Sequence, residues 1–268
     1  MSQFHNLFRK VVGEKDAAPV EPVEDRLESI DKSYGLREVP SVQIDVESAS
    51  RLVFLSEPMS PGSERFRLLR MRLKEQAKSR KVKILLITSP LPHDGKSTVA
   101  LNLATALAEK GKQSVLVVEG DLHHPHIVER LGLNLSAGFG ECLERQIEPL
   151  AAIRRIEPLG WYLLPAGAPR LNATELLQTA MANSVLRPLA RHFDWVLIDS
   201  PPALPLTDAV SLRHHADACL LIVRADATPR ESVEEAVKLI GKQHILGIVL
   251  NGVEGLQRLY SKYGYYRR

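Results

Sequence analysis

Cysteine is almost missing from this chain: Cys142 and Cys219 stand far apart, with neither metal-site spacing nor the pairing of a disulfide framework. Both read as small buried apolar residues in a reducing compartment. No apolar run approaches the roughly 20 residues that a membrane-spanning helix needs, and no signal peptide opens the chain. The expectation is therefore a cytoplasmic protein, for which any membrane role would come through a partner. A large excess of one charge is also lacking. The net charge of +3 over 268 residues argues neither for nor against nucleic acid, and no nucleic-acid partner is expected. His123, His124 and His126 lie close together but have no cysteine beside them, so they read as basic residues at a helix start and not as a zinc site. Apolar and charged fractions of 44% and 25% are ordinary, enough for one large α/β domain with an extension.

The most informative segment runs from Ile84 to Ala100, Ile-Leu-Leu-Ile-Thr-Ser-Pro-Leu-Pro-His-Asp-Gly-Lys-Ser-Thr-Val-Ala. An apolar strand pattern meets a Pro/Gly loop ending in Gly95-Lys96-Ser97-Thr98. Leu101, Leu103, Ala104, Leu107 and Ala108 then follow at helical spacing, and Gly111 is the expected helix stop. This order makes a phosphate cradle for a nucleoside triphosphate. Backbone N–H groups at a helix start face the anion, Lys96 adds charge, and Ser97 offers a hydroxyl to Mg2+. Two glycines usual in such loops are replaced, by Pro90 and His93.

Strand patterns at 82–88, 114–119, 160–164, 195–199, 218–223 and 245–251 alternate with helical ones at 97–110, 125–131, 174–192, 209–214 and 229–242. A further helix, 63–80, precedes them with Pro61 and Ser63 as start signals. Continuous apolar strands alternating with helices predict a mostly parallel sheet covered on both faces, with ligands at the C-terminal strand ends. Acids collect there: Glu119 and Asp121 end one strand and Asp199 another. Three carboxylates beside a phosphate loop can hold Mg2+ through water and orient a nucleophile. Ser200-Pro201-Pro202 reads as a rigid turn, and His214 and His215 as a polar helix end.

Three regions are expected: a short helix and flexible linker at 1–55, a nucleotide-binding domain at 56–252, and a tail at 253–268. In the first, Phe4, Leu7, Phe8, Val11 and Val12 form an amphipathic stripe; the acidic, proline-containing segment 13–45 reads as linker. In the tail, Tyr260, Tyr263, Tyr265 and Tyr266, four of the six tyrosines, sit among Lys262, Gly264, Arg267 and Arg268. Without apolar companions they are not core. A phosphoacceptor cluster and a tail that binds a partner by stacking are both open readings.

Taken together these motifs resemble the bacterial tyrosine kinases of capsule and exopolysaccharide synthesis, in their cytoplasmic separate-chain form. The resemblance covers 56–268: the loop Thr88–Thr98, Val117-Val-Glu-Gly-Asp-Leu-His-His-Pro125, Leu197-Ile-Asp-Ser-Pro-Pro202, Glu64-x-x-Arg67-x-x-Arg70, Asn172-Ala-Thr-Glu-Leu-Leu177 and the tyrosine tail. It implies a P-loop NTPase fold of the MinD/ParA-like deviant Walker type, with ATP and Mg2+ as cofactors. It also implies transfer of the γ-phosphoryl group to tail tyrosines of a neighbouring subunit, in control of polysaccharide polymerisation and export.

By that resemblance Asp94, Gly95, Lys96, Ser97, Thr98 and Asn251 contact nucleotide, with Lys96 at the β/γ-phosphates and Thr98 at the α-phosphate. Ser97, Asp121 and Asp199 serve the metal, Glu119 is the base, and Glu64, Arg67 and Arg70 meet the next protomer. Implied partners are further copies in a ring, a membrane-spanning chain-length protein that activates the kinase, and a tyrosine phosphatase. The chain departs from the family pattern at Glu119 (usually aspartate), His123 (usually arginine) and His93 (usually glycine). A regulatory or positioning ATPase of the same fold is the alternative. That group carries a second lysine at the position of Leu91, and it leaves the tyrosine tail unexplained.

Overall fold

The computed structural model describes residues 36, 38–44, 52–205 and 207–253. The helix expected near the start, most of the linker and the tail tyrosines lie outside the described residues.

Eight strands form one sheet: β1 (Ser41–Gln43), β2 (Ile84–Thr88), β3 (Val115–Glu119), β4 (Arg154–Glu157), β5 (Trp161–Leu164), β6 (Trp195–Asp199), β7 (Ala218–Arg224) and β8 (Ile245–Asn251). Their order is β1-β4-β5-β3-β6-β2-β7-β8. Every pairing is parallel except β4 with β5. The helices are α1 (Val53–Ser56), α2 (Pro61–Arg80), α3 (Lys96–Ala108), α4 (Ile127–Arg130), α5 (Phe139–Leu143), α6 (Pro149–Ala152), α7 (Ala173–Gln178), α8 (Ala180–His192), α9 (Asp208–Arg213) and α10 (Arg230–Ile240).

The continuous apolar strands follow from two cores. Along β2, Ile84 and Leu86 enter one core, with residues of α5, α7, α8, α9 and α10. Leu85 and Ile87 enter the other, with residues of α2, α3 and α4. Side chains alternate across a strand, so a central strand between two helical layers needs apolar residues at every position. All four are fully buried, each contributing about 1.5–3 kcal/mol over an exposed position. Among the described residues no helix is long and apolar enough to cross a membrane.

Several boundaries differ from the sequence expectation. β1 lies inside the stretch read as linker, so the sheet begins upstream of position 56. The helix expected at 174–192 is two, separated at Thr179, whose backbone is extended and whose hydroxyl donates to Leu176 O at 2.7 Å. α2 begins two residues earlier than expected: Ser60 caps it by accepting from Ser63 N, with Pro61 in the first helical position. α3 stops before Gly111, because Glu109 and Lys110 already take left-handed backbone angles. Lys74 holds the Glu109 carboxylate there at 2.7 Å.

Candidate active site

The phosphate loop leaves β2 between β6 and β7, at the C-terminal edge of the sheet. Gly95 caps α3 with φ of +93°. Only glycine suits it: a Cβ there would lie 2.2 Å from Asn251 Nδ2. His93 also takes a left-handed φ, +67°, at the position where the family pattern has glycine. Asp94, nearly buried, laces the loop together. Its carboxylate accepts from Leu91 N at 3.1 Å and Thr228 Oγ1 at 2.7 Å, while its carbonyl accepts from Asn251 Nδ2 at 2.9 Å. Asn251 ends β8, so this bond seats that strand end over the loop.

His93, Gly95, Lys96, Ser97, Thr98, His126, Arg130, Arg224, Asn251 and Gly252 line a cavity of ≈ 740 Å³. A nucleotide-sized volume at a helix start, rimmed by cations, suits a polyphosphate.

The acids adjoin it on one side. Glu119 and Asp199 are register partners on β3 and β6, and Gly120 N donates to Asp199 O at 2.7 Å, which sets Asp121 beside the end of β6. Asp199 is fully buried and neither carboxylate oxygen has a hydrogen-bond partner. Burial pushes its carboxyl above the ordinary range; Lys96, Ser97 and His126 pull the other way, and the Glu119 charge adds to the rise. The structure thus brings Lys96 and Ser97 to Asp199, with Asp121 two residues beyond the end of the neighbouring strand.

Two orphaned buried carboxylate oxygens beside a loop hydroxyl are the arrangement that a hydrated Mg2+ with phosphate ligands would complete. Among the described residues no group of three or more His, Cys, Asp or Glu side chains forms a metal cage. A P-loop magnesium does not need one, because phosphates and water supply most of its ligands.

Glu119 is arranged differently from the expected base. It is fully buried, Oε1 accepts from Ile127 N at 2.6 Å and His126 N at 2.7 Å, and Oε2 accepts from Ala166 N at 3.1 Å. A carboxylate spent on three backbone donors is an anchor for α4 and for the segment after β5. Asp121, by contrast, accepts from His124 N alone, at 2.9 Å. His123 faces buried Asp208 at 3.4 Å, and Thr174 of the Asn172–Leu177 motif donates to the same aspartate. Ser200 is buried with its hydroxyl on Ile87 O and Pro201 O, as expected of a rigid turn.

Arg70 turns inward, donating to Ala106 O at 3.1 Å with Glu109 at 3.3 Å, while Arg67 meets Glu64, Pro58 O and the Phe54 ring. His126, Arg130, Arg224 and Gly252 are the cavity residues that the motifs passed over. The spacing of four between His126 and Arg130, just after a strand-end acid, is the signal that marks the first two.

Residues 93–245 match the AAA domain family. The chain is 30% identical over 217 residues to the tyrosine-protein kinase YwqD of Bacillus subtilis, covering 80% of this chain and 90% of that protein. It spans only 30% of the longer tyrosine-protein kinase wzc of Salmonella typhimurium, at 27% identity. The crystal structure of the chimerical protein CapA2B2 superposes with a TM-score of 0.72 and 28% identity, covering 85% of this chain and 99% of that one. The septum site-determining protein MinD of Pyrococcus horikoshii, complexed with Mg-ADP, shares the fold at TM-score 0.55 and 23% identity, over 67% of this chain and 76% of that one.

Proposed function

The chain belongs to the bacterial tyrosine-protein kinases, and from that premise we propose that it transfers the γ-phosphoryl group of ATP to tyrosines in its own tail, Tyr260, Tyr263, Tyr265 and Tyr266, on a neighbouring copy. The observation that carries this reading is the convergence of Lys96, Ser97 and unpartnered, buried Asp199 at one loop. A tyrosine Oη attacks the γ-phosphorus, the bond to the β–γ bridging oxygen breaks, ADP leaves, and the phenolic proton passes to a carboxylate. Lys96 stabilises the β/γ oxygens, and the loop N–H groups fix the chain of phosphates. Bound Mg2+ would be held by Ser97, Asp121 and Asp199 and would supply charge neutralisation.

For the proton, Asp121 is better disposed than Glu119, whose lone pairs serve three backbone N–H groups. The loose transition state of phosphoryl transfer asks little of a base, so positioning dominates. Assembly into a ring through α2, activation by a membrane-spanning chain-length protein, reversal by a tyrosine phosphatase and control of capsule or exopolysaccharide export complete the reading. The protein would then act at the inner membrane through its partner.

The test is incubation of purified protein with ATP and Mg2+, with phosphotyrosine as readout. Lys96→Met, and a chain ending at Leu259, should both lose the signal. Phosphotyrosine that persists in Lys96→Met, or ATP hydrolysis with none in the wild type even beside its activator, overturns the kinase reading.

A further inference from the structure

Besides Arg224 and Asn251, the cavity is lined by two residues at the ends of α4. His126 is the N-cap of α4 and Arg130 its last residue, joined by the bond from Arg130 N to His126 O at 3.0 Å, and both side chains line the cavity. His126 Nε2 sits 3.0 Å from Ser97 Oγ, and Arg130 Nη2 donates to Thr98 Oγ1 at 2.7 Å. Each side chain therefore holds one hydroxyl of the phosphate loop. The helix that carries them is fixed from below, since Glu119 takes the His126 and Ile127 N–H groups at 2.7 and 2.6 Å. Arg130 is thus a cation on a rigid support and not a surface arginine that swings by.

Its place along the loop distinguishes it from Lys96. Lys96 opens the loop helix and Ser97 follows it, next to His126 at 3.0 Å, at the end where the proposed transfer takes place. Arg130 reaches the loop one residue further along the helix, at Thr98, and so serves the part of the nucleotide nearer the base. A guanidinium carries five donors in a planar fork, so it can keep Thr98 Oγ1 and meet a phosphate oxygen at the same time.

Resting on the nucleotide-site reading above, we propose that Arg130 is a direct ligand of the α-phosphate of the bound nucleotide. It binds ATP and ADP alike, and it tightens the substrate complex without stabilising the transferring phosphoryl group.

The experiment is titration calorimetry of the full chain with Mg·ADP and with a non-hydrolysable Mg·ATP analogue, at two salt concentrations. It compares wild type, Arg130→Met, Arg130→Lys, Thr98→Val and the Thr98→Val/Arg130→Met pair. Arg130→Met should weaken both nucleotides about tenfold, the scale of one charge-assisted hydrogen bond, with a shallower salt dependence, and Arg130→Lys should fall between. The loss should persist in the Thr98→Val background.

Affinity within twofold of wild type in Arg130→Met overturns the proposal. So does a loss that vanishes when Thr98 is already Val, because Arg130 would then act only through that hydroxyl. Should Arg130→Met melt early, Arg130→Lys and its salt dependence decide. A wild type that shows no saturable Mg·ADP binding, or Lys96→Met binding as tightly as wild type, overturns the underlying reading, an outcome distinct from an unresponsive Arg130.

Discussion

Glu119 and Asp199 end neighbouring parallel strands in register, yet their carboxylates meet opposite surroundings: three backbone N–H donors for the first, none for the second. Both are fully buried. One holds the backbone; the other holds open a place for charge.

Asp199 therefore costs the ligand-free protein stability. Burial raises its folded-state proton affinity above that of the unfolded chain, whose carboxyl has the ordinary value of 3.8. The folded state then binds more protons, and stability falls as pH rises from that value through the folded one. Asp199→Asn removes the penalty. Ligand-free Asp199→Asn should melt higher than wild type at pH 8, by about 2–4 °C for each kcal/mol recovered, and nearly together with it at pH 4. It should also lose the stabilisation that Mg·ADP gives. Differential scanning calorimetry at the two pH values checks both, and a lower Tm at pH 8 refutes the account.

Glu119 should behave in the reverse sense. Glu119→Gln removes charge and turns an N–H2 group toward backbone donors, leaving one or more of three buried amides unpaired. The expected cost is about 3 kcal/mol, roughly 6–12 °C in Tm, at neutral pH. Lost phosphotyrosine formation in a Glu119→Gln variant with an unchanged Tm would show instead that the carboxylate takes the proton.

The legible parts of the sequence were those under double constraint. Central strands such as β2 and β6 are buried on both faces, so their apolar runs have no other explanation, and the loop and acids at their ends follow. Edge elements escape that logic. β4 reads Arg-Arg-Ile-Glu with one fully buried position, and β1 has none. Periodicity is silent over three or four half-exposed residues. Helix α4 is a single turn inside the segment read as helical at 125–131, too short for periodicity alone to show which of its side chains enter the cavity. Glu119 was assigned by analogy to a chemical role; only coordinates reveal that its oxygens are already engaged.

The phosphate loop makes a paired prediction. Gly95→Ala sets a Cβ 2.2 Å from Asn251 Nδ2 at a left-handed φ, which breaks the Asn251 bond to Asp94 O and misaims the Lys96 N–H. Mg·ADP affinity should drop at least tenfold, by analogy with other misplaced binding loops. His93→Gly acts oppositely, since His93 holds φ of +67° at some strain. Stability should stay within about 1 kcal/mol of wild type, strain relief offsetting unfolded-state entropy. His93→Val, with a branched Cβ at that φ, should lose about 1–3 kcal/mol. Equal melting of the Gly and Val variants would remove the strain argument.

The geometry of α2 refines the assembly prediction. Residues three apart on a helix drift by about 60° per step, so Arg70 lies about 120° around from Glu64. It packs on Ala106 O and Glu109 instead of solvent. Glu64, Leu68 and Met71, at i, i+4 and i+7, share the outer face, and Leu68 and Met71 are exposed at 43% and 65%. Met59, before the helix, is 84% exposed. If α2 joins protomers, that apolar face is what the neighbour covers. Met71→Glu should then lower the molar mass measured by light scattering while leaving the Tm of the monomer unchanged, whereas Arg70→Glu should lower Tm by breaking the α2–α3 contact whether or not a ring forms. A Met71→Glu protein with undiminished mass would move the protomer contact away from α2, and with it the route by which one copy's tail reaches the next copy's phosphate loop.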